Sequence, residues 1–275
     1  MKCAWEALLE ILPQQMRQDV DHLGRNGMQE LRLRHGAPPE LVLTKESLFL
    51  DRVCQEEDIA FCIQSASRYS PWTAETMKKG YLTAPGGHRI GLCGLSLCRG
   101  GQVTGVREIT SLCIRVARDF PGIAAGVPQN GSILILGAPG CGKTTLLRDL
   151  IRQRSRQAPV AVVDERGELF PGGFDQGPRT DVLRGCPKPK GIQQVLRTMG
   201  PGTIALDEIT AEEDMIGLLR AAGCGVTLLA TAHAASCEAF FSNSIYTPLV
   251  KTSVFSWILV MKPDKSFTAE RMAGV

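Results

Sequence analysis

Residues 134–145 carry the stretch LILGAPGCGKTT, in which an apolar run leads into a glycine-rich loop. The pattern Gly-x-x-x-x-Gly-Lys-Thr is complete between Gly137 and Thr144. Glycines allow successive backbone N–H groups to point at an anion, and the N-terminus of a following helix adds a favourable potential. The stretch therefore predicts a strand, a phosphate-binding loop and a helix that begins at Lys143. The predicted nucleotide-binding residues are Gly137, Ala138, Pro139, Gly140, Cys141, Gly142, Lys143, Thr144 and Thr145.

Hydrolysis of a bound nucleotide needs carboxylates as well as a phosphate loop. We expect Lys143 to reach the β- and γ-phosphates of ATP and Thr144 to ligate Mg²⁺. Downstream, the run IALDEI places Asp207 and Glu208 at the end of an apolar strand, where ligands bind in open α/β sheets. Asp207 is therefore predicted to hold Mg²⁺ or its water, and Glu208 to polarise the attacking water.

Short apolar runs after residue 130 alternate with helical or loop segments. They are SILIL (132–136), PVAVVD (159–164), TIALD (203–207), VTLLAT (226–231) and VFSWILV (254–260). This alternation is typical of a mainly parallel sheet with helices on both faces. We therefore predict an α/β P-loop domain over residues 120–275.

Residues 1–119 differ in character and are predicted to form a smaller α+β domain. Residues 1–16 are expected to form one amphipathic helix, and the segment GYLTAPGGHRIGLCGLSL (80–97) predicts antiparallel strands with tight turns. The stretch 120–131, rich in Pro and Gly, is expected to link the two domains. The apolar stripe of the N-terminal helix would consist of Trp5, Leu8, Leu9, Leu12 and Met16.

Composition excludes several classes of protein. The net charge is +3 and only 5% of residues are aromatic, so we expect no nucleic-acid partner. The ten cysteines include no C-x-x-C pair and are interpreted as reduced thiols of a cytosolic protein. No apolar run approaches the roughly 18 residues of a membrane-spanning helix, so any membrane attachment is expected to be peripheral.

Two further groups of residues have alternative interpretations. Asp164, Glu165 and Glu168 surround Arg166 after the second predicted strand, and either touch the metal or orient water, or form a charged loop beyond the sheet. His233 follows the fourth predicted strand, where it either senses the γ-phosphate or is structural. We favour the functional interpretation of both groups.

The segments LRTMGPGTIALDEITAEED (196–214) and LLATAHAAS (228–236) resemble the ATPases of type II and type IV secretion and pilus machines. The resemblance implies that Glu208 is the catalytic glutamate, that His233 is the histidine-box residue, and that Glu168 closes an acidic box. Asp207 stands where those ATPases usually have glycine, which restores an ordinary Mg²⁺-binding aspartate. Thr210 replaces an arginine of their glutamate motif.

A resemblance over nearly the whole chain is to the stage III sporulation protein AA family of endospore-forming bacteria. The segments that carry it are LRLRHGAPPELV (31–42), GYLTAPGGHRIGLCG (80–94), REITSLCIRVAR (107–118), GPRTDVLRGCPKPKG (177–191) and ALDEI…LLATAHA (205–234). Ala234 and Thr210 stand where we would expect glycine in this family.

This resemblance implies a RecA-like ATPase that forms a hexameric ring in the cytoplasm of the mother cell. Its expected cofactors are ATP and Mg²⁺. It would be held peripherally at the outer forespore membrane through partners, which are the other stage III sporulation A membrane proteins and stage II protein Q. Together they would form a secretion-like channel complex.

The phosphate-loop half shows no obvious arginine that would stabilise the charge of the transition state. Such an arginine can come from elsewhere in the chain or from a neighbouring subunit. We include Arg115 in the predicted catalytic set, with Arg89 as its first alternative. The full set of candidates is Arg89, Arg107, Arg115, Arg118 and Arg179.

Two other functions stay open at this point. A nucleic-acid motor has the same core, and DNA-stimulated hydrolysis would support it. A small-molecule kinase or nucleotide switch also begins from such a loop, and ADP formed without free phosphate would support a kinase.

Overall fold

The computed structural model describes residues 2–67, 77 and 80–272. Its contacts divide the chain into two units. The first comprises Met1–Asp119 together with Pro171–Phe174, and the second comprises Phe120–Phe170 together with Asp175–Val275. Each unit is organised around its own sheet.

The first unit contains helices α1 (Trp5–Glu10), α2 (Gln14–Gly24) and α3 (Glu56–Ser67), and strands β1 (Met28–Arg34), β2 (Glu40–Leu43), β3 (Ser47–Phe49), β4 (Tyr81–Thr83), β5 (Arg89–Arg99) and β6 (Gln102–Arg115). The second contains strands β7 (Ile133–Leu136), β8 (Val160–Asp164), β9 (Thr180–Arg184), β10 (Thr203–Ile209), β11 (Thr227–Ala232), β12 (Trp257–Met261) and β13 (Phe267–Arg271). Its helices are α4 (Lys143–Arg154), α5 (Lys188–Thr198), α6 (Glu212–Gly223), α7 (Cys237–Ser242) and α8 (Thr247–Lys251).

The sheet of the second unit has the strand order β13-β12-β7-β11-β10-β8-β9. All neighbours are parallel except β12 and β13, which form an antiparallel pair. The five predicted strands are all present, and β9 and β13 add an edge on each side. Residues of β7 and β8 are buried throughout, as expected for central strands covered on both faces.

Helices cover this sheet on both faces. Leu134 and Leu136 of β7 pack in one cluster with Ile192 of α5 and Leu218 of α6. Because side chains of a strand alternate, Ile133 and Ile135 point to the opposite face, and they are also fully buried. Helix α4 contacts β7, β10 and β11. Its buried leucines do not belong to the cluster of Leu134 and Leu136. The predicted α/β architecture is therefore confirmed.

The first unit is an α+β structure with an entirely antiparallel six-stranded sheet of order β3-β2-β1-β6-β5-β4. Apolar side chains of its helices pack with those of the strands in one cluster, which includes Leu8, Met16, Leu31, Ile90 and Ile114. The antiparallel strands predicted for residues 80–97 are confirmed as β4 and β5.

The single N-terminal helix predicted over residues 1–16 is wrong, because two helices occupy this part of the chain. Pro13 is the N-cap of α2, and a proline ring clashes with the carbonyl four residues earlier when it lies inside a helix. The apolar stripe is nevertheless buried, since Trp5 and Leu8 of α1 and Met16 of α2 all belong to the core.

None of the ten cysteines forms a disulfide in the structure. Among the described residues, no helix is both long enough and apolar enough to span a bilayer.

Candidate nucleotide-binding and catalytic site

The phosphate loop connects β7 to α4 and depends on glycine at two positions. Gly137 has φ +155°, and a Cβ there would lie 2.5 Å from Cys141 Sγ and 2.9 Å from Met261 Cβ. Gly142, the N-cap of α4, has φ +103°, a region that residues with a Cβ rarely adopt. The loop is thereby fixed in a shape that places the N-terminus of α4 at the carboxyl edge of the sheet, as predicted.

Lys143 is buried at the start of α4, and its ammonium group has partners in the loop and on His233. Nζ donates hydrogen bonds to the carbonyl oxygens of Gly137 (2.9 Å) and Ala138 (3.0 Å). It also lies 3.2 Å from Nδ1 of His233. A bound phosphate can exchange with these neutral acceptors, because a charged acceptor forms a stronger hydrogen bond to an ammonium group.

Asp207 is held by a hydroxyl on each side. Thr144 Oγ1 donates to Asp207 Oδ2 at 2.7 Å, and Thr231 Oγ1 donates to Asp207 Oδ1 at 2.6 Å. Thr231 is fully buried at the end of β11, and its hydroxyl also accepts a hydrogen bond of 2.9 Å from the backbone N–H of Glu208. One buried hydroxyl therefore orients both members of the Asp-Glu pair.

Glu208 has an uncommon backbone conformation and two cationic or polar partners. Its φ is +47°, which is rare for a residue with a side chain and costs of order 1–3 kcal/mol. Oε1 lies 3.1 Å from His233 Nε2, and Oε2 lies 3.2 Å from a guanidinium nitrogen of Arg166. The carboxylate is thus directed toward the histidine that contacts the phosphate-loop lysine.

The acidic cluster after β8 separates into residues with different surroundings. Asp164 is buried, and its carboxylate accepts the backbone N–H groups of Glu168 (2.9 Å) and Leu169 (3.0 Å). Burial raises the pKa of Asp164, and the nearby Asp207 raises it further. Glu165 forms an ion pair with the buried Lys188 at 3.3 Å. Asp164 and Glu165 thereby organise the loop that follows β8, whereas Glu168 lines a cleft together with residues of the phosphate loop.

One cleft of the second unit collects most of the predicted site residues. Its lining consists of Pro139, Gly140, Gly142, Lys143, Thr144, Thr145, Glu168, Asp207, Glu208, Thr231 and His233. Cys141 is buried beneath the loop against Gly137 and does not line the cleft.

The predicted arginines have partners of their own. Arg115 lies on β6 in the first unit, with Nε 3.3 Å from a carboxylate oxygen of Glu30 and about two-thirds of its side chain exposed. Arg89 stacks over the ring of Tyr81. The contacts of the other three are Arg107 with Glu108, Arg118 with the carbonyl of Met28, and Arg179 with the carbonyl of Gln157.

Sequence patterns assign no role to three residues of the site. Thr231 belongs to a predicted strand, and Arg166 forms the centre of the acidic cluster. Lys265 lies in no recognisable motif, although its ammonium group donates a hydrogen bond to the carbonyl of Gly140 in the phosphate loop. A signal for Thr231 does exist, since this polar residue lies just before His233 at the end of the same strand.

The donor set at Thr144 and Asp207 fits Mg²⁺. A hydroxyl and a carboxylate are hard oxygen ligands, and Mg²⁺ commonly takes one or two protein ligands together with waters and substrate phosphates. The two groups already lie within hydrogen-bond distance of each other. Across the described ranges, no group of three or more His, Cys, Asp or Glu side chains is arranged to hold a metal, so an all-protein metal cage does not occur there.

Two solved structures with a similar fold are the ATPase DotB and the pilus retraction motor PilT. The pilus retraction motor PilT, solved with bound ADP, matches with a TM-score of 0.63 at 16% identity, over 95% of this chain and 78% of that one. The ATPase DotB of Legionella pneumophila matches with a TM-score of 0.59 at 18% identity, over 94% of this chain and 80% of that one. These likenesses confirm the predicted RecA-like fold with its N-terminal α+β part.

Sequence relatives identify the family. The chain is 26% identical over 263 residues to an uncharacterized protein ycf45 of Porphyra purpurea. This match covers 89% of this chain and 43% of that protein. It is 38% identical over 247 residues to stage III sporulation protein AA of Bacillus subtilis (strain 168), over 82% of this chain and 80% of that protein. The family model described as sporulation stage III, protein AA, matches residues 4–274. The chain therefore belongs to the family of sporulation stage III protein AA.

Proposed function

We propose that this protein hydrolyses Mg-ATP and uses the energy to assemble, or to drive transport through, a secretion-like channel between mother cell and forespore. The observation that carries the proposal is the continuous contact from Lys143 through His233 to Glu208, beside the Thr144–Asp207 pair. It links a phosphate-binding group to a carboxylate that can act on water. Family membership supports the sporulation role.

In the proposed mechanism, the phosphate loop binds the nucleotide with its backbone N–H groups and with Lys143. The ammonium group of Lys143 exchanges the carbonyls of Gly137 and Ala138 for oxygens of the β- and γ-phosphates. Thr144 and Asp207 would hold Mg²⁺, which supplies neutralisation of phosphate charge when bound. Because Thr231 orients Asp207, the metal-binding carboxylate needs little rearrangement.

Glu208 is the proposed general base, which orients the attacking water and accepts its proton. His233 lies between Glu208 and Lys143, with one ring nitrogen on each. A phosphate that draws Lys143 away alters the Nδ1 contact, and the imidazole transmits this change to the carboxylate. Glu168, which lines the same cleft, is the proposed second carboxylate that orients water.

Arg115 is the proposed source of positive charge for the transition state, delivered between subunits of a hexameric ring. Its exposed guanidinium group and its ion pair with Glu30 are compatible with such a role. We further propose that the ring lies on the mother-cell side of the outer forespore membrane, held there by the other stage III sporulation A proteins.

Product analysis tests the proposed function against its competitors. Wild-type protein incubated with Mg-ATP is expected to release ADP and free phosphate in equal amounts, at a rate that single-stranded DNA leaves unchanged. Lys143→Ala is expected to abolish both binding and release. ADP without free phosphate would favour phosphoryl transfer to a small molecule, and a rate stimulated by DNA would favour a nucleic-acid motor.

A further inference from the structure

The turn between β12 and β13 lies against the phosphate loop, although it is more than a hundred residues away in sequence. Strand β12 pairs in parallel with β7 and places Val260 opposite Leu136. The chain that leaves β12 therefore passes beside the loop that leaves β7. Met261 lies next to Gly137 of this loop, since its Cβ lies 2.9 Å from the position that a Cβ would take at Gly137.

The turn has a defined backbone that presents Lys265. The N–H of Lys262 donates to the carbonyl of Ser266 (2.8 Å), and the N–H of Lys265 donates to the carbonyl of Lys262 (3.0 Å). The carboxylate of Asp264 accepts hydrogen bonds from the N–H and hydroxyl of Ser266. Lys265 has φ +71°, a region that side-chain-bearing residues enter only when the surrounding structure holds them there.

The side chain of Lys265 crosses to the phosphate loop and ends on it. Its Cδ lies 3.7 Å from the position that a Cβ would take at Gly142, and Nζ donates to the carbonyl of Gly140. Lys265 thus places a second ammonium group on the loop, in addition to that of the buried Lys143. Unlike Lys143, Lys265 is exposed to solvent.

The negative charge of the cleft and of a nucleotide favours a second lysine on the loop. The cleft contains the carboxylates of Glu168, Asp207 and Glu208, and a nucleoside triphosphate would bring several more negative charges. An additional cation on the loop offsets part of this repulsion. A neutral carbonyl is a weaker acceptor for an ammonium group than a phosphate oxygen, so the Gly140 contact is one that a bound nucleotide can displace.

We propose that Lys265 is a phosphate-binding residue of the nucleotide site. Its ammonium group exchanges the carbonyl of Gly140 for an oxygen of the phosphate chain. The proposal rests on the proposed nucleotide-binding function and assigns a further part of the chain to the same site.

The test is calorimetric titration of Lys265→Gln with ATP and with inorganic tripolyphosphate, which lacks base and sugar. Loss of one charge-assisted hydrogen bond at an exposed position predicts binding about tenfold weaker for both ligands. Lys265→Arg is expected to stay near wild type. Lys262→Gln, which removes the same charge from the same turn, is the matched control and is expected to bind both ligands as wild type does.

The outcomes separate this inference from the proposed function. Wild-type affinity of Lys265→Gln for ATP would overturn the inference alone, as would a loss confined to ATP with tripolyphosphate unaffected. Tight ATP binding by wild type without any phosphate release would overturn the proposed hydrolysis and leave the Lys265 contact standing. If wild-type protein binds neither ligand, both proposals are overturned.

Discussion

Thr231→Val is the substitution that most directly tests how the site is built. Valine has nearly the shape of threonine, so the change removes a hydroxyl from a fully buried position without opening a cavity. Two hydrogen bonds are lost, the donation to Asp207 Oδ1 and the acceptance from the N–H of Glu208. The first is a hydrogen bond to a charged group, worth about 1.5–3 kcal/mol, and the second leaves a backbone N–H without this acceptor.

The strained backbone of Glu208 increases the expected effect. A residue with φ +47° stays in that conformation only while its neighbours hold it, and Thr231 is one of the groups that do so. We therefore expect Thr231→Val to destabilise the protein by about 2–3 kcal/mol. Relaxation of Glu208 away from the attacking water is expected to lower kcat by about 10- to 100-fold, equivalent to about 1.4–2.7 kcal/mol.

The assays are phosphate release from Mg-ATP under saturating nucleotide and the midpoint of urea unfolding. Thr231→Ser keeps the hydroxyl and serves as the matched control, with kcat expected within about threefold of wild type because both hydrogen bonds can re-form. If Thr231→Val turned over ATP as fast as Thr231→Ser, the hydroxyl would not position the carboxylates and the reasoning would be refuted.

Two further predictions concern the first unit. The ring of His88 lies between the carbonyl of Ala4 and the N–H of Ala117, and burial lowers the pKa of this histidine. Its neutral form therefore stabilises the fold above the ordinary histidine pKa of 6.5. This stabilisation is lost as pH falls through the lowered pKa. The fall in the urea midpoint between pH 7.5 and 5.5 is thus expected to be smaller in His88→Gln than in wild type. His35→Gln, at an exposed position, is the control and is expected to show the wild-type fall. Equal falls in all three proteins would contradict the assignment of this pH dependence to His88. Arg115→Ala is expected to lower ATP turnover at least tenfold while ATP binding is retained, because the guanidinium is proposed to act only in the transition state. Arg99→Ala, which removes an exposed arginine from the neighbouring strand β5, is expected to leave turnover unchanged, and equal effects of the two substitutions would argue against a specific role of Arg115.

The central parallel sheet could be predicted from sequence because its strands are buried on both faces. Such strands form uninterrupted apolar runs, as in VAVVD of β8 and TIALD of β10. Strands β9 and β13 lie at the two edges and have mixed sequences, TDVLR and FTAER, with several exposed residues. An edge strand has a neighbouring strand on one side only and exposes more of its side chains. Its apolar pattern is therefore too weak to distinguish it from a loop.

The candidate site could be predicted where one local motif carries the chemistry. The phosphate loop, Asp207 and Glu208 are each recognisable within a few residues, because a glycine-rich turn or a carboxylate at a strand end has a distinct local pattern. Lys265 could not be found in this way, since only the pairing of β12 with β7 brings it to Gly140. The division of the acidic cluster into Asp164, which organises the loop, and Glu168, which faces the cleft, likewise depends on backbone hydrogen bonds that spacing does not reveal.

Phosphate release by Glu208→Gln tests the central claim most directly. The substitution keeps the size of the side chain and removes the basic carboxylate, so Mg-ATP binding is expected to persist while phosphate release falls at least a hundredfold. Glu213→Gln, at an exposed position in the first turn of α6, is the control and is expected to match wild type. Measured over a range of protein concentrations, the wild-type rate per subunit is expected to rise, because the proposed ring completes each site with a neighbour. Phosphate release by Glu208→Gln at the wild-type rate would contradict the account.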